Sequence, residues 1–476
     1  MRSRLTIGGA LDAGLLAGAA MLLAGCMVGP DYVRPTAPAP AAFKEAEGWK
    51  PAQPADTAPR GDWWQVFADA DLDALLQQVD LANQTVQAAA ARVREAQAAT
   101  EATRAGLFPG VSGSAAVGRS DRSSGASSIV NSSNLGLDAR WEVDLWGRVR
   151  RGVEASEATA QSAAADLAAA RLSVQALLAQ DYLLLRVQDA QIRLLRDTVA
   201  GYQKSSDLTR NQYAAGIVSR GDVVQAEAQL KSTQAQVLEA TIVRAQLEHA
   251  IAVLVGKPPS ELAIAPRPLV PVFPAIPVAL PSELLERRPD IAAAERRTAS
   301  ANAQIGVAQA AFYPSLSLSA AGGLQNSALG DLLSLPNRYW ALGAGLVQTI
   351  FDAGLRSAQK AQAVASYDET VANYRSTVLN AFQEVEDNLV ALSLLEQQAA
   401  VQDEAVAAAR QAVAIATNQY QAGIANYIVV VVLQTGELNS ERTALAILAR
   451  RLTASVGLIK ALGGGWNAAT LAAQAP

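Results

Sequence analysis

The sequence has one cysteine, one histidine and few aromatic residues, and each scarcity excludes a class of structure. A single cysteine in 476 residues cannot form an intramolecular disulfide, and a single histidine argues against a histidine-based metal or catalytic site. Aromatic residues make up only 5% of a chain that is 50% hydrophobic. Small aliphatic residues, above all alanine, therefore supply most of the apolar surface, and this composition favours closely packed helices over a bulky aromatic core.

An excess of positive charge is also absent. The formal net charge is -5 and the isoelectric point is near 5.3, and together with the lack of any Lys/Arg cluster these values argue against a nucleic-acid partner. His249 lies beside Glu248, but no cysteine, serine motif or second histidine accompanies it. No phosphate-binding glycine loop is present. We therefore predict no catalytic residue, no metal site and no enzymatic activity.

Glycine and proline are missing from one long internal stretch, Leu355 to Ala422. Its larger apolar residues recur every three or four positions, an average of about 3.5 that is typical of a supercoiled helical seam. At about 1.5 Å per residue, one continuous helix would be on the order of 100 Å long. Charged residues such as Lys360 and Glu369 interrupt the stretch, so we predict packing against similar helices in water rather than burial in lipid.

An internal repeat supplies such helices. The sequence around Tyr213 (QYAAGI) recurs around Tyr420 (QYQAGI), 207 residues further along the chain. Upstream, the aromatic–proline pair Phe108-Pro109 has a counterpart in Tyr313-Pro314, and each pair is followed by a Ser- and Ala-rich stretch. Two features at nearly the same spacing predict a tandem duplication of a unit of about 200 residues.

The N-terminus resembles that of a lipoprotein. Basic residues precede an apolar stretch from Ala13 to Ala24 that is too short to span a membrane as a helix, so residues 1–25 are predicted to be a secretory signal peptide. The stretch ends in Leu-Ala-Gly-Cys, which resembles the bacterial lipobox. This resemblance implies a covalent lipid such as palmitate on Cys26, and Met27 in place of aspartate implies that no inner-membrane retention signal is present.

Each repeat is predicted to contain a helix, a β-hairpin, a long helix, a tight turn and a return helix. In repeat one the first helix covers Asp69 to Gly106, the strands cover Val111 to Gly118 and Leu135 to Leu145, and the return helix covers Asp222 to Val255. The strands predicted in repeat two are Leu316 to Gly323 and Trp340 to Ile350. The predicted boundaries are 26–66 for an extended lipidated segment, 67–257 for repeat one with its hairpin at 109–146, 258–283 for a Pro-rich crossover linker that cannot be helical, 284–462 for repeat two with its hairpin at 314–351, and 463–476 for a C-terminal tail.

Gly216 and Gly423 are predicted to end the two long helices. Glycine is expected where a helix terminates in a left-handed conformation before an antiparallel helix begins. Both turns should therefore lie at the same end of the molecule, away from the strands. The return helix of repeat two is expected mainly between Glu437 and Val456.

The four predicted strands are too few to close a barrel alone. Because open sheet edges cannot face lipid, subunits would have to pool their strands if these strands cross a membrane, and three subunits would give twelve. In that case Trp141, Trp146, Tyr339 and Trp340, near the predicted strand ends, are candidate interfacial anchors. A soluble hairpin packed on the helices explains the strand pattern equally well.

Two motifs resemble one protein family. Residues Gly25 to Pro35 (GCMVGPDYVRP) are similar to the mature start of the lipoprotein branch of TolC-type outer-membrane efflux proteins, the NodT/OprM-like group. Residues Leu284 to Glu295 (LLERRPDIAAAE) resemble a characteristic block of the same family. The resemblance implies a mostly α-helical, tandem-duplicated protomer that forms a homotrimer. In this homotrimer a twelve-stranded β-barrel in the outer membrane continues as a twelve-helix periplasmic α-barrel.

The resemblance also implies a function and partners. The protein would be a passive outer-membrane exit duct that exports small molecules such as drugs, with no cofactor besides the lipid on Cys26. It would dock to a periplasmic adaptor, a membrane fusion protein, and to an inner-membrane pump of the resistance-nodulation-division type. Two alternatives stay open: a periplasmic coiled-coil scaffold or adaptor lipoprotein, and the outer-membrane duct of a type I protein secretion system.

In such a duct the two turns would form a periplasmic mouth that is closed at rest. Family members often carry acidic residues just before the second turn, but here no Asp or Glu occurs between Glu404 and Glu437. We therefore expect closure by hydrophobic contact and hydrogen bonds around Tyr213, Tyr420 and Asn418; the alternative is that the tyrosines only cap their helices. The candidate gate residues are Tyr213, Gly216, Asp222, Thr417, Asn418, Tyr420 and Gly423.

Overall fold

The computed structural model describes residues 27–38, 40, 42–45, 62–123, 127–273 and 287–466, and side chains are not described for residues 122–128. The predicted signal peptide, the lipidation residue Cys26, much of the extended segment, the later part of the crossover linker and most of the C-terminal tail lie outside the described residues.

Long helices alternate with paired strands along the described chain. The helices are α1 Ala70–Ala82, α2 Gln84–Arg104, α3 Arg148–Ala214, α4 Arg220–Leu254, α5 Pro289–Ala310, α6 Leu355–Gln421 and α7 Tyr427–Ala461. The strands are β1 Gly110–Ser123, β2 Ser127–Val143, β3 Ser315–Asn326 and β4 Arg338–Val347. Short 3-10 turns occur at Trp63–Phe67, Ala105–Leu107, Pro259–Glu261, Leu329–Asp331 and Leu335–Asn337.

The chain forms two compact units. The first comprises residues 1–37, 92–164 and 293–376 and contains the four strands. The second comprises residues 38–91, 165–292 and 377–476 and contains both tight turns.

The stretch without glycine or proline forms one helix, as predicted. α6 has 67 residues, which at 1.5 Å per residue is about 100 Å, and α3 also has 67 residues. The middle of the predicted seam of α6 is buried, since Tyr374, Val378, Val385 and Leu389 are 1% exposed or less, whereas Val364 near its start is 38% exposed. Within the described residues, no helix combines the length and the apolar character needed to cross a membrane.

The first predicted helix is in fact two helices, broken at Asn83. The backbone of Asn83 is extended (φ -68°, ψ 122°), and its side-chain oxygen accepts hydrogen bonds from the N–H groups of Thr85 at 2.9 Å and Val86 at 3.1 Å. Its amide nitrogen donates to the carbonyl of Leu254 at 2.8 Å. Because a side chain that caps the next helix competes with helical continuation, Asn83 ends α1 and starts α2.

The strands of the first hairpin are longer than predicted. β1 extends to Ser123 and β2 begins at Ser127, so most of the loop predicted between Gly118 and Leu135 is strand. The serine and asparagine residues of this segment, whose composition indicated a loop, are paired across this ladder, as Asn131 is with Arg119 and Ser132 is with Gly118. In the second hairpin β4 ends at Val347, before the predicted Ile350.

Two helix predictions were also wrong. α7 begins at Tyr427, well before Glu437, because the run of valines after Tyr427 is helical and buries Val430 and Val431, each 3% exposed. The crossover linker, predicted to contain no helix, makes one 3-10 turn at Pro259–Glu261.

The main hydrophobic core belongs to the second unit. Trp63 and Trp64 are 4% and 3% exposed, and their rings meet edge to face with centroids 5.8 Å apart. Helix α1 contributes Leu72, Leu76 and Val79, each 0% exposed. The remaining core residues include Leu178, Tyr182, Leu185, Ile251, Val255, Leu452 and Val456. The two tryptophans are therefore packing residues that close this core.

Gly256 and Gly216 form a matched pair that tests the packing against α1. Both have a φ of 73°, a conformation in which a Cβ costs about 1–2 kcal/mol. A Cβ on Gly256 would also overlap the carbonyl of Ala82, whereas nothing lies within 4 Å of one on Gly216. We predict that Gly256→Ala lowers the thermal unfolding temperature more than Gly216→Ala does, as measured by circular dichroism. Equal shifts would contradict the close contact at Gly256.

Candidate functional sites in the sheet and at the paired turns

The four strands form one antiparallel sheet in the order β1-β2-β3-β4. β2 of repeat one pairs with β3 of repeat two, for example Gly136 with Gly323, so the two predicted hairpins are continuous. Both hairpin connections lie at one end of the sheet, called here the hairpin end, and the strands join helices at the opposite, helix end. β1 and β4 are the edges of this sheet and expose backbone groups for further pairing.

One face of the sheet is apolar from the helix end to the Leu135 rung, where a rung is a row of residues paired across the four strands. Residues directly opposite each other in an antiparallel ladder share a face, so the register assigns every residue to one side. The apolar residues of this face are Val111, Gly113, Ala115, Leu135, Leu137, Ala139, Trp141, Val143, Leu316, Leu318, Ala320, Gly322, Leu324, Trp340, Leu342, Ala344 and Leu346, and Arg338, which pairs with Leu324, is a charged residue on the last of these rungs. The large apolar side chains are open to the surroundings; Leu342 is 76% and Leu346 is 68% exposed.

The opposite face is small and polar. Its residues include Ser112, Ser114, Asn134, Gly136, Asp138, Arg140, Glu142, Ser317, Ser319, Gly323, Gln325, Tyr339, Gly343 and Gly345. Tyr339 lies across Gly136, because a Cβ on that glycine would be only 2.5 Å from the tyrosine oxygen. A sheet with one apolar face and one polar face separates an apolar surrounding from a polar one.

The apolar face forms a band long enough to cross a membrane core. The rungs from Val143 to Leu135 span nine residues of β2, and a transmembrane β-strand tilted by about 45° has about 9–11 residues. Trp141 lies near the helix-end limit of this band and Trp340, 78% exposed, lies near the hairpin-end limit. These are the positions at which interfacial aromatic residues are found.

Trp146 has a different place from the other two tryptophans. It follows β2, its ring stacks on Tyr313 with centroids 4.8 Å apart, and its indole N–H donates to the carbonyl of Pro314 at 2.8 Å. It therefore joins the end of β2 to the start of β3 at the helix end of the sheet.

The two tight turns share one geometry. Gly216 and Gly423 have φ values of 73° and 74°, the left-handed conformation expected for both. Each glycine N–H donates to the carbonyl of a tyrosine, at 2.9 Å from Tyr213 and 3.0 Å from Tyr420. The following isoleucine N–H in each case donates to a glutamine carbonyl, which completes a Schellman-type helix end.

The two turns contact each other through Tyr420, so they lie at the same end of the second unit. The hydroxyl of Tyr420 donates to the side-chain oxygen of Gln212 at 2.6 Å, and its ring centroid is 5.3 Å from that of Tyr427. Tyr427 is 5% exposed. The buried apolar cluster around it is completed by Ala226, Ala416, Val430 and Val431.

Each helix pair is also bridged by an arginine. Arg210 of α3 binds Glu227 of α4 at 2.8 Å, and Arg410 of α6 binds Glu441 of α7 at 2.6 Å. Both arginines are at least half exposed, so each pair contributes no more than about 1 kcal/mol. These pairs hold helices of the same repeat together, whereas the bond from Tyr420 to Gln212 joins the two repeats.

The predicted gate residues do not all take part in the contact between the turns. Tyr420 is at the contact between repeats, whereas Tyr213 is 47% exposed and Asn418 is exposed. Thr417 is partly buried. Asp222 forms a capping box with Ser219 at the start of α4, at 2.8 Å between the hydroxyl and the carboxylate, so its carboxylate stabilises a helix end.

Two residues at this contact were not among the predicted gate residues. Gln212 belongs to the repeated QY motif, which could have indicated it, but nothing in the sequence shows which of the repeated residues meet. In the sequence Tyr427 is the first residue of an apolar run that ends at Leu433. Because α7 was predicted to begin later, the face on which Tyr427 lies could not be assigned.

Comparisons with known proteins agree on one family. Residues 75–257 and 280–464 match the family model described as outer membrane efflux protein. The chain is 33% identical over 463 residues to the probable efflux pump outer membrane protein TtgC of Pseudomonas putida, with 95% of each chain covered. It is 33% identical over 419 residues to the pyoverdine export outer membrane protein OpmQ of Pseudomonas aeruginosa, with 85% of this chain and 87% of the relative covered. The solved structure of the outer-membrane channel OprN superimposes with a TM-score of 0.87 at 31% identity, covering 93% of this chain and 100% of that one.

Tyr420 and Tyr427 make the stability of the contact between the turns depend on alkaline pH. Burial raises the pKa of Tyr427, and the neighbouring Tyr420 raises it further; burial also raises the pKa of Tyr420. A pKa raised in the folded state favours the neutral phenol. The stability that it contributes is therefore complete below the ordinary value of 10.0 and is lost as the pH rises through the folded value.

We predict that Tyr427→Phe removes one tyrosine per chain from the part of the ultraviolet tyrosinate titration that lies above pH 10.0. Tyr420→Phe should remove signal from the same part of the curve. Loss of signal from the part below that pH in either variant would contradict the burial of these hydroxyls at the contact between the turns.

Proposed function

The chain belongs to the outer membrane efflux protein family, and we propose that it acts as a homotrimer whose sheets close a single membrane-spanning barrel. It is the outer-membrane component of an efflux pump, and its fold is that of the outer-membrane channels. The observation that carries the proposal is the sheet itself, which has one apolar face long enough to cross a membrane core and two edges available for pairing.

Pairing between copies removes those edges. In lipid every backbone group needs a partner, so β4 of one copy would pair with β1 of the next until the sheet closes. Three copies of a four-stranded sheet provide twelve strands, with the serine- and glycine-rich face lining the pore. Trp141 and Trp340 would then lie at the two lipid–water interfaces.

The duct would work with two partners and perform no chemistry of its own. A periplasmic adaptor would dock at the paired turns, and an inner-membrane pump, of the resistance-nodulation-division type by family resemblance, would supply the energy. OpmQ is named for the export of pyoverdine, which favours small-molecule export over protein secretion here as well. A periplasmic scaffold, the other alternative, would have no use for a two-faced sheet.

A lipid anchor on Cys26 is supported by how the following residues are held in the first unit. Met27 packs on Gly147, which has a φ of 78°, and the N–H of Val28 donates to the carbonyl of Trp146 at 3.1 Å. Arg151, whose side chain is 2% exposed, binds Asp31 at 2.8 Å. The residue directly after Cys26 is therefore held at the helix end of the sheet, where the apolar face begins.

The mouth would be closed at rest by the contact between the two turns. Tyr420 and Gln212 supply a hydrogen bond between repeats at the turns, and the cluster around Tyr427 supplies apolar contact. Ile217 and Ile424, 71% and 77% exposed, lie at the tips of the turns and would meet their equivalents in other copies. Docking of the adaptor would shift the helix pairs to a second packing in which the mouth is open.

We predict that Tyr420→Phe opens the channel in planar bilayers. The substitution keeps the ring next to Tyr427 but removes the bond to Gln212, which is worth about 1 kcal/mol per copy. If three copies open together, the sum of about 3 kcal/mol raises the ratio of open to closed states on the order of a hundredfold. Single-channel conductance should therefore change from small, brief currents to large, sustained ones.

Tyr213→Phe is the matched control, because Tyr213 is the equivalent residue of repeat one and its ring is 47% exposed. It should leave the currents as in the wild type. Large open currents from the wild type would contradict the gate but not the channel. The absence of current from inserted trimers would contradict the channel itself.

We predict that the mature protein carries a palmitate label on Cys26. Metabolic labelling with palmitate should mark the wild type and a Met27→Leu variant equally, and it should not mark a Cys26→Ser variant, because the chain has no second cysteine. Incorporation of label into Cys26→Ser, or none into the wild type, would contradict the lipidation.

A further inference from the structure

The side of the sheet that carries the apolar face has its charges at one end only. Among its described residues these are Arg119, Asp121 and Arg338, and the register places all three at or beyond the Leu135 rung, on the side of the hairpin end. From that rung to the Val143 rung the other residues of this face are aliphatic, glycine or tryptophan. The cationic side chains therefore begin where the apolar band ends.

Arg338 is the closer of the two arginines to this band. It pairs with Leu324, which pairs with Leu135, and Trp340 follows two residues later on the same face. Arg338 is exposed, and within the described residues no side chain forms an ion pair with it. A guanidinium at the edge of a lipid-facing surface needs acceptors for five N–H groups, and water and lipid headgroups can supply them there.

Arg119 lies further from the band on the opposite edge strand. It pairs with Asn131, four residues beyond the Leu135 rung, which is about 13 Å of rise. Asp121 follows two residues later, so the arginine is the nearer of the two to the hydrocarbon. In the proposed barrel β4 of one copy adjoins β1 of the next, and this places the strands that carry Arg338 and Arg119 side by side.

We propose that Arg338 and Arg119 bind the phosphates of a phosphorylated glycolipid in the outer leaflet. Arginine matches phosphate through two parallel hydrogen bonds, and a headgroup with two phosphates can engage both edge strands at the seam between copies. The inference rests on the proposed function, because it requires the sheet to lie in the membrane. It adds the class of lipid and the residues that recognise it.

The distribution of charge along the sheet favours this ligand over an ordinary phospholipid. At the helix end the apolar face finishes in Val143, Leu316 and Leu346, with no charged residue of its own in the described part. An anionic lipid present in both leaflets would favour cationic residues at both limits of the band. Cationic residues at the hairpin end alone correspond to a bilayer whose phosphate-rich headgroups lie in one leaflet.

The test is the thermal stability of the full-length trimer in detergent with added lipid. Bisphosphorylated lipid A should raise the unfolding temperature of the wild type more than monophosphorylated lipid A, phosphatidylglycerol or phosphatidylethanolamine does. The double variant Arg119→Gln/Arg338→Gln should lose most of that rise, and Arg338→Lys should lose part of it because lysine keeps the charge but not the paired hydrogen bonds. Arg140→Gln is the matched control, since Arg140 is exposed on the opposite face of the same sheet and should keep the full rise.

Three outcomes would overturn the proposal: a full rise in the double variant, an equal loss in Arg140→Gln, or an equal rise with phosphatidylglycerol. Trimer migration on gels without heating shows whether each variant has folded, and Arg338→Lys keeps the test valid if the double variant has not. Conductance of the same preparations distinguishes a failure of the lipid site from a failure of the proposed function. Inserted, conducting trimers without a lipid A effect overturn only the lipid site, whereas trimers that do not insert overturn the proposed function.

Discussion

Hydrogen bonding between β2 and β3 is the constraint on which the rest of the sheet depends. It is the ladder that joins repeat one to repeat two. In its hairpin-end half Gly136 faces Gly323, and a Cβ on Gly323 would overlap the carbonyl of Leu135. The chains approach so closely there that only glycine fits. Because a slip of one residue would move every side chain to the other face, this close approach also preserves the separation of apolar and polar faces.

Duplication gave the two repeats the same backbone but not the same chemistry. Gly216 and Gly423 end their helices with equal φ values to within a degree. The next helix begins differently in each repeat: Ser219 and Asp222 cap α4 reciprocally, whereas Asn426 precedes α7 without a side-chain cap. α7 instead starts with a run of apolar residues that packs on the other helices. The contact between the turns is therefore asymmetric, and Tyr420 takes a role that its equivalent Tyr213 does not have.

Sequence was sufficient for the features that depend on periodicity and on backbone chemistry. The long helix without glycine or proline, the left-handed glycines and the family were all predicted correctly, because each leaves a pattern in consecutive residues. The length of β1 and β2 was not predictable in this way, since Ser- and Asn-rich segments have the composition of loops until a partner strand is known. The break at Asn83 was missed because its effect depends on a bond to Leu254, far away in sequence. The pairing of Tyr420 with Gln212 was missed for the same reason: it is a contact between repeats, and repetition alone does not tell which of two equivalent residues makes it.

The contacts between the turns are weak enough for docking to reverse them. The bond between Tyr420 and Gln212 contributes about 1 kcal/mol, and the exposed arginine pairs contribute no more than about 1 kcal/mol each and lie within single repeats. Changing a mouth from almost always closed to almost always open requires about 5.5 kcal/mol of differential binding. A partner that contacts three equivalent mouth segments needs to supply only about 2 kcal/mol at each, which is within the range of a modest apolar contact. A gate built from one neutral hydrogen bond per copy and a small apolar cluster can therefore stay shut in isolation and still be opened by protein contact alone, without a bound ion or a covalent change.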